Sequence, residues 1–315
     1  MQLTTPLKNL YGSLEISDKA IRASANNEGA FVNLLNDEMQ SIIKSANYNF
    51  SRMLFGDGTG KLGSIIGLDD PYVYVDEVKN FVEGMRVDCI ADNGTVLFED
   101  VYVEGVVYED LRVHFVTNGE KFTQDTLPNG TGIYLHGSKN NELTGLGAIF
   151  ALTTAPLYGV QRDNALMKPY RKDSAGKMTE NLLQIAIDNI EERSGSKVDF
   201  ILCSWGVRRA LLEYYKEFKV ILPSIEISGG TQAISFNGIP VVADRFCPKG
   251  TMYLLNSEDF KLNQLCDWQW LEAEDDKILK QVPGKPVYTA TLVKYAELMC
   301  ERPCGQGVIT GITEV

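Results

Sequence analysis

Hydrophobic residues recur at steps of three and four between residues 31 and 54, which is the spacing of one face of a helix. The stripe consists of Phe31, Leu34, Leu35, Met39, Ile42, Ile43, Ala46, Phe50, Met53 and Leu54. Gly56-Asp57-Gly58-Thr59-Gly60 follows it, and glycine tolerates the left-handed backbone that ends helices. The pattern predicts a long helix from residue 28 that stops at this loop. The polar residues 1–27, with irregularly spaced apolar positions, predict an extended arm without a core.

The period changes over residues 61–141, where short β-rich runs alternate with turn signals. The runs are Tyr72–Val75, Met85–Ile90, Val101–Val107 and Leu111–Val116. The turn signals are Asn93-Gly94, Asn118-Gly119 and Asn129-Gly130. Both residues of an Asn-Gly pair accept positive φ, so the segment predicts a β-rich insertion of antiparallel hairpins. A small barrel and an extended two-stranded projection both fit this pattern.

A second amphipathic helix is predicted from Gly176 to Arg193, with Gly195 where a C-terminal cap belongs. Its stripe is Met178, Leu182, Ile185, Ala186 and Ile190, widened by Leu183 and Ile187. An apolar strand, Val198–Cys203, comes next. Ser204 then opens a helix to about Phe218, and its hydroxyl suits the N-cap position.

The last third of the chain reads as β structure. Ala233–Phe236 and Ile239–Ala243 flank Asn237-Gly238 and predict a hairpin. Met252–Leu255 predicts a further strand. Val287–Met299 alternates two sets of side chains along its length, which indicates a long, half-exposed strand. The chain as a whole is therefore predicted to be α+β.

Composition narrows the class of protein. The 315 residues are 44% hydrophobic and 23% charged, enough apolar material for a sizeable core. The net charge is −12. Proteins that bind nucleic acid tightly use Lys and Arg to displace counterions, so tight, direct binding of nucleic acid is not expected of this acidic chain. If the chain lies beside DNA, it encloses the DNA and does not grip it. Its N-terminal residues carry no secretory signal pattern and no apolar run reaches a membrane span, which predicts synthesis in a cytoplasm.

Six cysteines, at positions 89, 203, 247, 266, 300 and 304, form no CxxC pair. Cys300 and Cys304 have no His or second Cys pair nearby that would complete a zinc site. Scattered thiols of this kind are typical of reduced core residues.

Gly56–Lys61 resembles part of a phosphate-binding loop. That motif needs glycine where Phe55 stands and Ser or Thr where Leu62 stands. The segment also follows a helix instead of opening one, so no helix N-terminus would face a phosphate. The pattern favours a helix-terminating loop.

Ser204 lies at a strand-to-helix turn, where a hydrolase would hold its nucleophile. The hydrolase motif needs glycine at the position of Leu202, and it places the histidine after the serine. Both histidines, His114 and His136, precede Ser204 and are expected to be structural or surface groups. The helix-capping interpretation is preferred.

The acidic run Glu272, Glu274, Asp275 and Asp276 lacks the glycine and the spacing of a calcium loop, which indicates a solvated loop. We therefore predict no catalytic residue, no cofactor-binding residue and no metal ligand. The chain is not expected to be an enzyme.

The order of these elements resembles the major capsid proteins of tailed bacteriophages with the HK97-like fold. The resemblance rests on the long helix with its GDGTG loop and on four later segments, and it covers nearly the whole chain. These segments are residues 81–88 (FVEGMRVD), 145–149 (GLGAI), 158–163 (YGVQRD) and 237–244 (NGIPVVAD).

The resemblance implies an HK97-like division of the chain. Its parts would be an N-terminal arm (1–27), a peripheral-domain helix (28–60), a β-rich extended-loop insertion (61–141), a peripheral domain (142–197) with its spine helix at 176–193, an axial domain (198–285), and a peripheral-domain strand with the C-terminus (286–315). The arm and the insertion would reach across neighbouring subunits and bury their apolar residues there.

The resemblance also implies a function. The chain would be a structural virion protein that self-assembles as hexamers and pentamers into an icosahedral head around double-stranded DNA. A portal and a separate scaffolding protein would be its partners, with no membrane involved. Only about 27 residues precede the first helix, so we predict no maturation cleavage there. Nothing in the sequence selects Lys121 or Lys139 for the isopeptide crosslink found in some members.

Three other functions compete with this one. An encapsulin-type nanocompartment shell shares the fold and would enclose protein cargo. A tail-tube or baseplate protein is disfavoured by the long helices and the length. A hydrolase or nucleotide-binding enzyme would depend on Ser204 or on the Gly56–Lys61 loop, and both depart from the required motifs.

Overall fold

The computed structural model describes residues 2–24, 28–117, 122–217, 224–227, 231–272 and 278–315. The helices are α1 (Asp18–Ser24), α2 (Glu28–Met53), α3 (Leu146–Ile149), α4 (Glu180–Ser194) and α5 (Trp205–Glu217). The strands are β1 (Lys8–Ser17), β2 (Lys61–Asp69), β3 (Tyr72–Val75), β4 (Arg86–Ile90), β5 (Val96–Val107), β6 (Arg112–Val116), β7 (Gly132–Leu135), β8 (Tyr170–Lys172), β9 (Phe200–Cys203), β10 (Ser224–Ile227), β11 (Thr231–Phe236), β12 (Ile239–Ala243), β13 (Met252–Leu255), β14 (Phe260–Trp270), β15 (Lys280–Gln281), β16 (Val287–Cys300) and β17 (Gly307–Ile309). Among these described helices, none is long and apolar enough to cross a membrane.

The first sheet has the strand order β1-β16-β14, and the short β15 pairs with the remaining part of β16. The long helix α2 lies on one face of it, where a Cβ on Gly12 would stand 3.3 Å from the Ile42 side chain. The long strand predicted at 287–299 is present, but the expectation that it is half-exposed is wrong. It is the central strand of the sheet, with β1 on one side and β14 on the other. Its residues Leu292, Val293 and Ala296 are buried.

The N-terminal segment differs from the predicted extended arm. Residues 8–17 form β1, which pairs antiparallel with β16 from Lys8 opposite Ala296 to Ser17 opposite Val287. Its alternate residues Leu10, Leu14 and Ile16 are buried under α2, so this segment has a home within its own chain. The alternation of buried and exposed residues is short and starts only at Leu10. The irregular spacing of the apolar residues in this segment therefore hides it in the sequence.

Strands β2 to β7 form a closed six-stranded barrel with the strand order β2-β3-β6-β5-β4-β7. Of the two forms open from the sequence, the barrel is the one observed. Its interior is filled by alternating strand residues together with Phe81, Phe122 and Leu127 from the connecting loops. The expectation that the insertion lacks a core and buries its apolar residues between subunits is therefore wrong.

Two of the three Asn-Gly signals in the insertion mark turns as predicted. Gly94 has φ 88° in the β4–β5 hairpin, and Gly130 has φ 91° just before β7. The pair Asn118-Gly119 lies outside the described residues.

The third sheet has seven strands in the order β10-β11-β12-β9-β13-β17-β8. Helices α4 and α5 pack on it and share one core with it, through residues such as Leu183, Ile190 and Leu211. Thr179 caps the start of α4, with its hydroxyl accepting from the Leu182 N–H, and Gly195 ends the helix with φ 67°. The predicted hairpin at Asn237-Gly238 joins β11 to β12, and both turn residues have positive φ.

The structure places the helix predicted at 176–193 differently from the spine helix that the resemblance implies. It begins at Glu180, has 15 residues and belongs to the core of the seven-stranded sheet, whereas α2 has 26 residues and spans the first sheet. The predicted axial segment 198–285 also divides between sheets. Its strands up to Leu255 join the seven-stranded sheet, and β14 joins the first sheet.

The end of α2 meets the start of α3 in what we call the helix-end junction, formed by residues 53–60 and 142–148. The backbone N–H groups of Leu146, Gly147 and Ala148 donate to the carbonyls of Leu54, Phe55 and Gly56 at 2.8, 3.2 and 3.3 Å. Free carbonyls at one helix end and free N–H groups at the other thus satisfy each other. Both chain crossings into the barrel leave from this junction.

Glycine is required where the two helix ends touch. A Cβ on Gly145 would lie 2.4 Å from the Met53 carbonyl oxygen, and one on Gly147 would lie 2.9 Å from backbone atoms of Gly56. Real Cβ atoms do not approach backbone so closely, so any side chain there would push the helix ends apart.

We expect Gly147→Ala to lower the free energy of unfolding by about 2 kcal/mol, because the added methyl separates the helix ends and weakens their hydrogen bonds. Gly105→Ala is the matched control, since its nearest neighbour would be the His114 Cβ at 3.8 Å. Urea unfolding of both variants measures the difference. Equal stability of the two variants would contradict the close contact.

Candidate assembly surfaces

A buried ion pair connects α2 to the chain leaving the barrel. The Arg52 guanidinium donates to both carboxylate oxygens of Glu142, with 2.9 Å between Nη1 and Oε2. The side chains are only 4% and 2% exposed. A bidentate pair of this kind fixes the angle between the two segments as well as their distance. It stands beside the loop Gly56–Lys61 and sets where the barrel attaches.

A second set of contacts holds the barrel against the rest of the chain. The Tyr48 hydroxyl donates to the Lys79 carbonyl at 2.8 Å, and the Lys79 ammonium donates to the Cys247 carbonyl at 2.9 Å. The rings of Tyr48 and Phe246 meet edge-on with centroids 5.0 Å apart. The barrel is thus attached to α2 and to the loop after β12, which limits its rotation.

Within the loop Gly56–Lys61, the side chains of Asp57 and Thr59 bond locally. The Asp57 carboxylate accepts from the Thr59 N–H at 2.9 Å and from the Thr59 hydroxyl at 2.5 Å. The nearest helix N-terminus, that of α3, donates its N–H groups to the carbonyls of residues 54–56. The loop therefore ends a helix and offers no helix N-terminus to a phosphate.

Ser204 caps α5, as predicted. Its hydroxyl oxygen lies 3.4 Å from the Val207 N–H and donates to the Glu314 carboxylate at 2.5 Å. Glu314 also accepts from the Gly250 N–H at 2.6 Å. These contacts fasten the C-terminal segment to the start of α5, and neither histidine takes part in them.

The remaining candidate groups lie apart from one another. His114 contacts Glu104 at 2.8 Å on the barrel wall, and the Lys139 ammonium lies 5.2 Å from the Tyr134 ring centre. Glu272 is exposed, whereas Glu274, Asp275, Asp276 and Lys121 lie outside the described residues. In the described part of the chain, no group of three or more His, Cys, Asp or Glu side chains could hold a metal ion.

His136 forms an ion pair that the sequence did not reveal. Its Nδ1 lies 2.7 Å from the Asp88 carboxylate, which also accepts from the N–H groups of Asp100 and Gly137. The hydrogen bond to Asp88 raises the pKa of His136 above its ordinary value. Burial pushes the pKa of Asp88 upward, but the bonds from His136 and the two N–H groups outweigh it and hold that pKa low. The pair connects β4 with the chain after β7.

The first sheet is open at both edges. Among the described residues, no further strand pairs with the outer side of the ten-residue β1 or of the eleven-residue β14. Large apolar side chains are exposed on or next to these two strands: Leu7, Tyr11, Leu262, Leu265 and Leu271. Leu265 is 76% exposed. Long open edges with apolar residues are surfaces on which other chains pair.

Helix α2 is covered on one side only. From residue 35 to residue 51 none of its residues is buried, although the stripe includes Met39, Ile42 and Phe50. Ile43 is half-exposed and belongs to none of the apolar clusters of the described chain. A helix of this length in a self-sufficient domain would bury its apolar stripe more fully. Within the described residues, the first sheet and its helix therefore form a surface that is left partly uncovered.

Arg52→Met is expected to destabilise the chain by about 3–5 kcal/mol, because it leaves the Glu142 charge buried without a partner. The double variant Arg52→Met with Glu142→Leu should recover most of that loss, since it removes both charges. Urea unfolding of the two variants measures the difference. A single variant as stable as the double variant would contradict the ion pair.

The pair of His136 and Asp88 predicts a pH dependence. Since the folded-state pKa of His136 is raised, its stabilisation is fully present below the unfolded value of about 6.5 and is lost as the pH rises through the folded value. His136→Gln should therefore cost more stability at pH 6 than at pH 9, by less than about 1 kcal/mol because the pair is partly exposed. Thermal unfolding at both pH values measures this. The difference should vanish when Asp88→Asn is already present, and a pH-independent cost would contradict the pairing.

Comparison with known proteins gives structural relatives only. No protein-family model matches the chain, and no curated protein matches it in sequence. The chain is similar to the capsid of an empty GTA particle, with TM-score 0.45, 8% identity, and coverage of 98% of this chain and 74% of that one. It is also similar to the procapsid of satellite phage P4, with TM-score 0.43, 10% identity, and coverage of 99% of this chain and 74% of that one.

The holo-SrpI encapsulin complex from Synechococcus elongatus PCC 7942 is similar over 48% of this chain, with TM-score 0.37 and 13% identity. The similar part spans 57% of the encapsulin chain, little more than half its length.

Proposed function

We propose that this chain is the major capsid protein of a tailed bacteriophage or a related particle, a subunit that assembles as hexamers and pentamers into an icosahedral shell with the HK97-like fold. The open first sheet is the observation that carries this proposal. Its two long edge strands and the half-covered helix α2 form a surface that further copies of the chain would complete.

The two open edges differ from each other, and this favours rings. An interface in which β1 of one copy meets β14 of the next is head-to-tail, since unlike surfaces pair. Such contacts close into rings when the rotation between copies completes a circle. Rings of five and six subunits are the units from which an icosahedral shell is tiled. Many modest contacts for each subunit then sum to a stable assembly.

The charge of the chain supports enclosure of DNA without tight binding. At a net charge of −12 the chain lacks the excess of Lys and Arg that phosphate neutralisation requires. We therefore propose that copies of the chain form a passive container for double-stranded DNA in the virion. The chain would be synthesised in the host cytoplasm. A portal and a separate scaffolding protein would be its partners. We propose no catalytic role for it, since Ser204 and the Gly56–Lys61 loop both lack residues that their motifs require.

Electron microscopy tests the proposal directly. The chain is expressed alone and together with the genes beside it, and the purified material is imaged. Closed shells, tubes, or rings of five and six subunits are the expected result. A monomer or a small oligomer under both conditions would overturn it. Shells that enclose protein cargo and no DNA when the neighbouring genes are present would identify an encapsulin-type compartment instead.

Leu265→Asp should prevent shell formation and leave the folded chain intact, because the leucine is exposed in the single chain and would be covered in the shell. Asn93→Asp is the control, since it adds the same charge at an exposed polar position of the β4–β5 turn, away from the first sheet, and keeps the hydrogen bond from the Thr95 N–H. Circular dichroism checks folding, and electron microscopy counts particles. If Leu265→Asp forms shells at the yield of the control, the β14 edge is not part of the interface.

A further inference from the structure

A cleft of about 790 Å³ opens beside the loop that follows α3. Four basic side chains line it: Arg162, Lys168, Arg171 and Arg193. No carboxylate is among its described lining residues. In a chain with a net charge of −12, a concave surface with only basic charges is unusual, and we call it the basic cleft.

Arg162 is a partly buried charge of the basic cleft. Its guanidinium donates to the carbonyls of Ala148, Ile149 and Ala155 at 2.5, 3.0 and 3.0 Å. These partners hold it in place, and no described carboxylate forms an ion pair with it. Its surroundings disfavour the charge, because burial lowers the pKa of Arg162. A positive charge held in a partly dry position without a counter-charge attracts an anion.

The other three basic side chains of the cleft form only one ion pair among the described residues. Arg171 contacts Asp173 at 2.8 Å and donates to the Phe150 carbonyl at 2.8 Å. Lys168 and Arg193 are exposed and form no ion pair within the described residues. Asp173 is the one described carboxylate that forms an ion pair with any of the four, so the basic cleft keeps a net positive charge.

Apolar groups at the rim of the basic cleft favour a protein over a phosphate backbone as the occupant. Leu152 lines the cleft and is 78% exposed, and Leu166, next to the lining residue Met167, is 53% exposed. A sugar-phosphate backbone gains little from contact with leucine, whereas the core of a protein interface is formed by such side chains.

The same chain supplies an acidic partner surface. Residues 61–142, the barrel and its exit, contain 15 acidic and 6 basic side chains, a net charge of −9 out of −12. The barrel is closed, so most of these carboxylates lie on its outside, as Asp92 and Glu99 do. Opposite charges on two separate surfaces of one molecule steer copies into head-to-tail contact.

We propose that the basic cleft of one copy receives the acidic outer surface of the barrel of a second copy. This inference rests on the proposed shell function and specifies one of its contacts. The barrel has a complete core of its own and would contact the neighbouring copy only through its outer surface. The contact is separate from the open edges of the first sheet, so each subunit would have two independent types of neighbour contact.

Zero-length crosslinking identifies the occupant of the basic cleft. Equal amounts of isotopically light and heavy full-length protein are mixed, assembled and treated with a carbodiimide, which joins an amine to a carboxylate in contact with it. Mass spectrometry is expected to find Lys168 of one isotope joined to carboxylates within residues 61–142 of the other. Intermolecular crosslinks from Lys168 only to carboxylates outside the barrel, or no such crosslinks in assembled particles, would overturn the inference.

Charge reversal gives an independent readout. Lys168→Glu with Arg193→Glu should raise the protein concentration needed for assembly about tenfold or more, and added salt should do the same to the wild type. Lys216→Glu with Lys249→Glu is the control, because it makes the same charge change at exposed lysines that lie outside the basic cleft, the first sheet and α2. Assembly of the cleft variant at the wild-type concentration would overturn the inference and leave the shell function standing.

The remaining outcomes separate the two proposals. Small oligomers of the wild type that lack shells but show the Lys168 crosslinks would support the cleft contact and overturn the shell function. A wild type that stays monomeric without crosslinks would overturn both. A cleft variant that assembles normally but no longer retains DNA would assign the basic cleft to phosphate groups and contradict the barrel as its occupant.

Discussion

The end-to-end contact between α2 and α3 is the constraint on which the rest of the architecture depends. Carbonyls of residues 54–56 accept the N–H groups of residues 146–148, and no side chain can stand at Gly145 or Gly147 between them. The buried pair of Arg52 and Glu142 fixes the neighbouring crossing of the chain. Because the barrel leaves and returns at this point, these few contacts set its position relative to the first sheet and to the seven-stranded sheet.

With that frame fixed, the chain has one self-sufficient part and one incomplete part. The barrel fills its own interior, so its outside is free to carry charge. The first sheet, by contrast, leaves two unlike edges and a long helix partly uncovered. A surface that the described residues leave uncovered, with unlike strands at its two edges, suits repeated head-to-tail addition of copies. The proposed shell function follows from this asymmetry, and the acidic barrel and basic cleft supply a second contact of opposite charges.

Local signals in the sequence predicted local structure well. The three-four spacing found α2 to within about a residue at each end, and the Asn-Gly pairs found the turns at Gly94, Gly130 and Asn237-Gly238, because each depends on backbone geometry that a few residues determine. The sequence did not predict which of these elements pair with one another in the folded chain. The alternation in β1 is too short to stand out, β16 gives no sign of strands on both sides, and barrel closure depends on pairing β2 with β7 across the insertion. The ion pairs of Arg52 and His136 join residues 90 and 48 positions apart, a distance at which no sequence pattern operates.

A cryo-electron microscopy reconstruction of the assembled particle would show whether the uncovered surface of the first sheet and α2 is the assembly interface. We expect the outer sides of β1 and β14, with Tyr11 and Leu265, to lie against neighbouring copies, and the exposed side of α2 to be covered. A closed particle in which both strand edges face solvent would contradict it, as would a protein that stays a monomer at every concentration and with every neighbouring gene product.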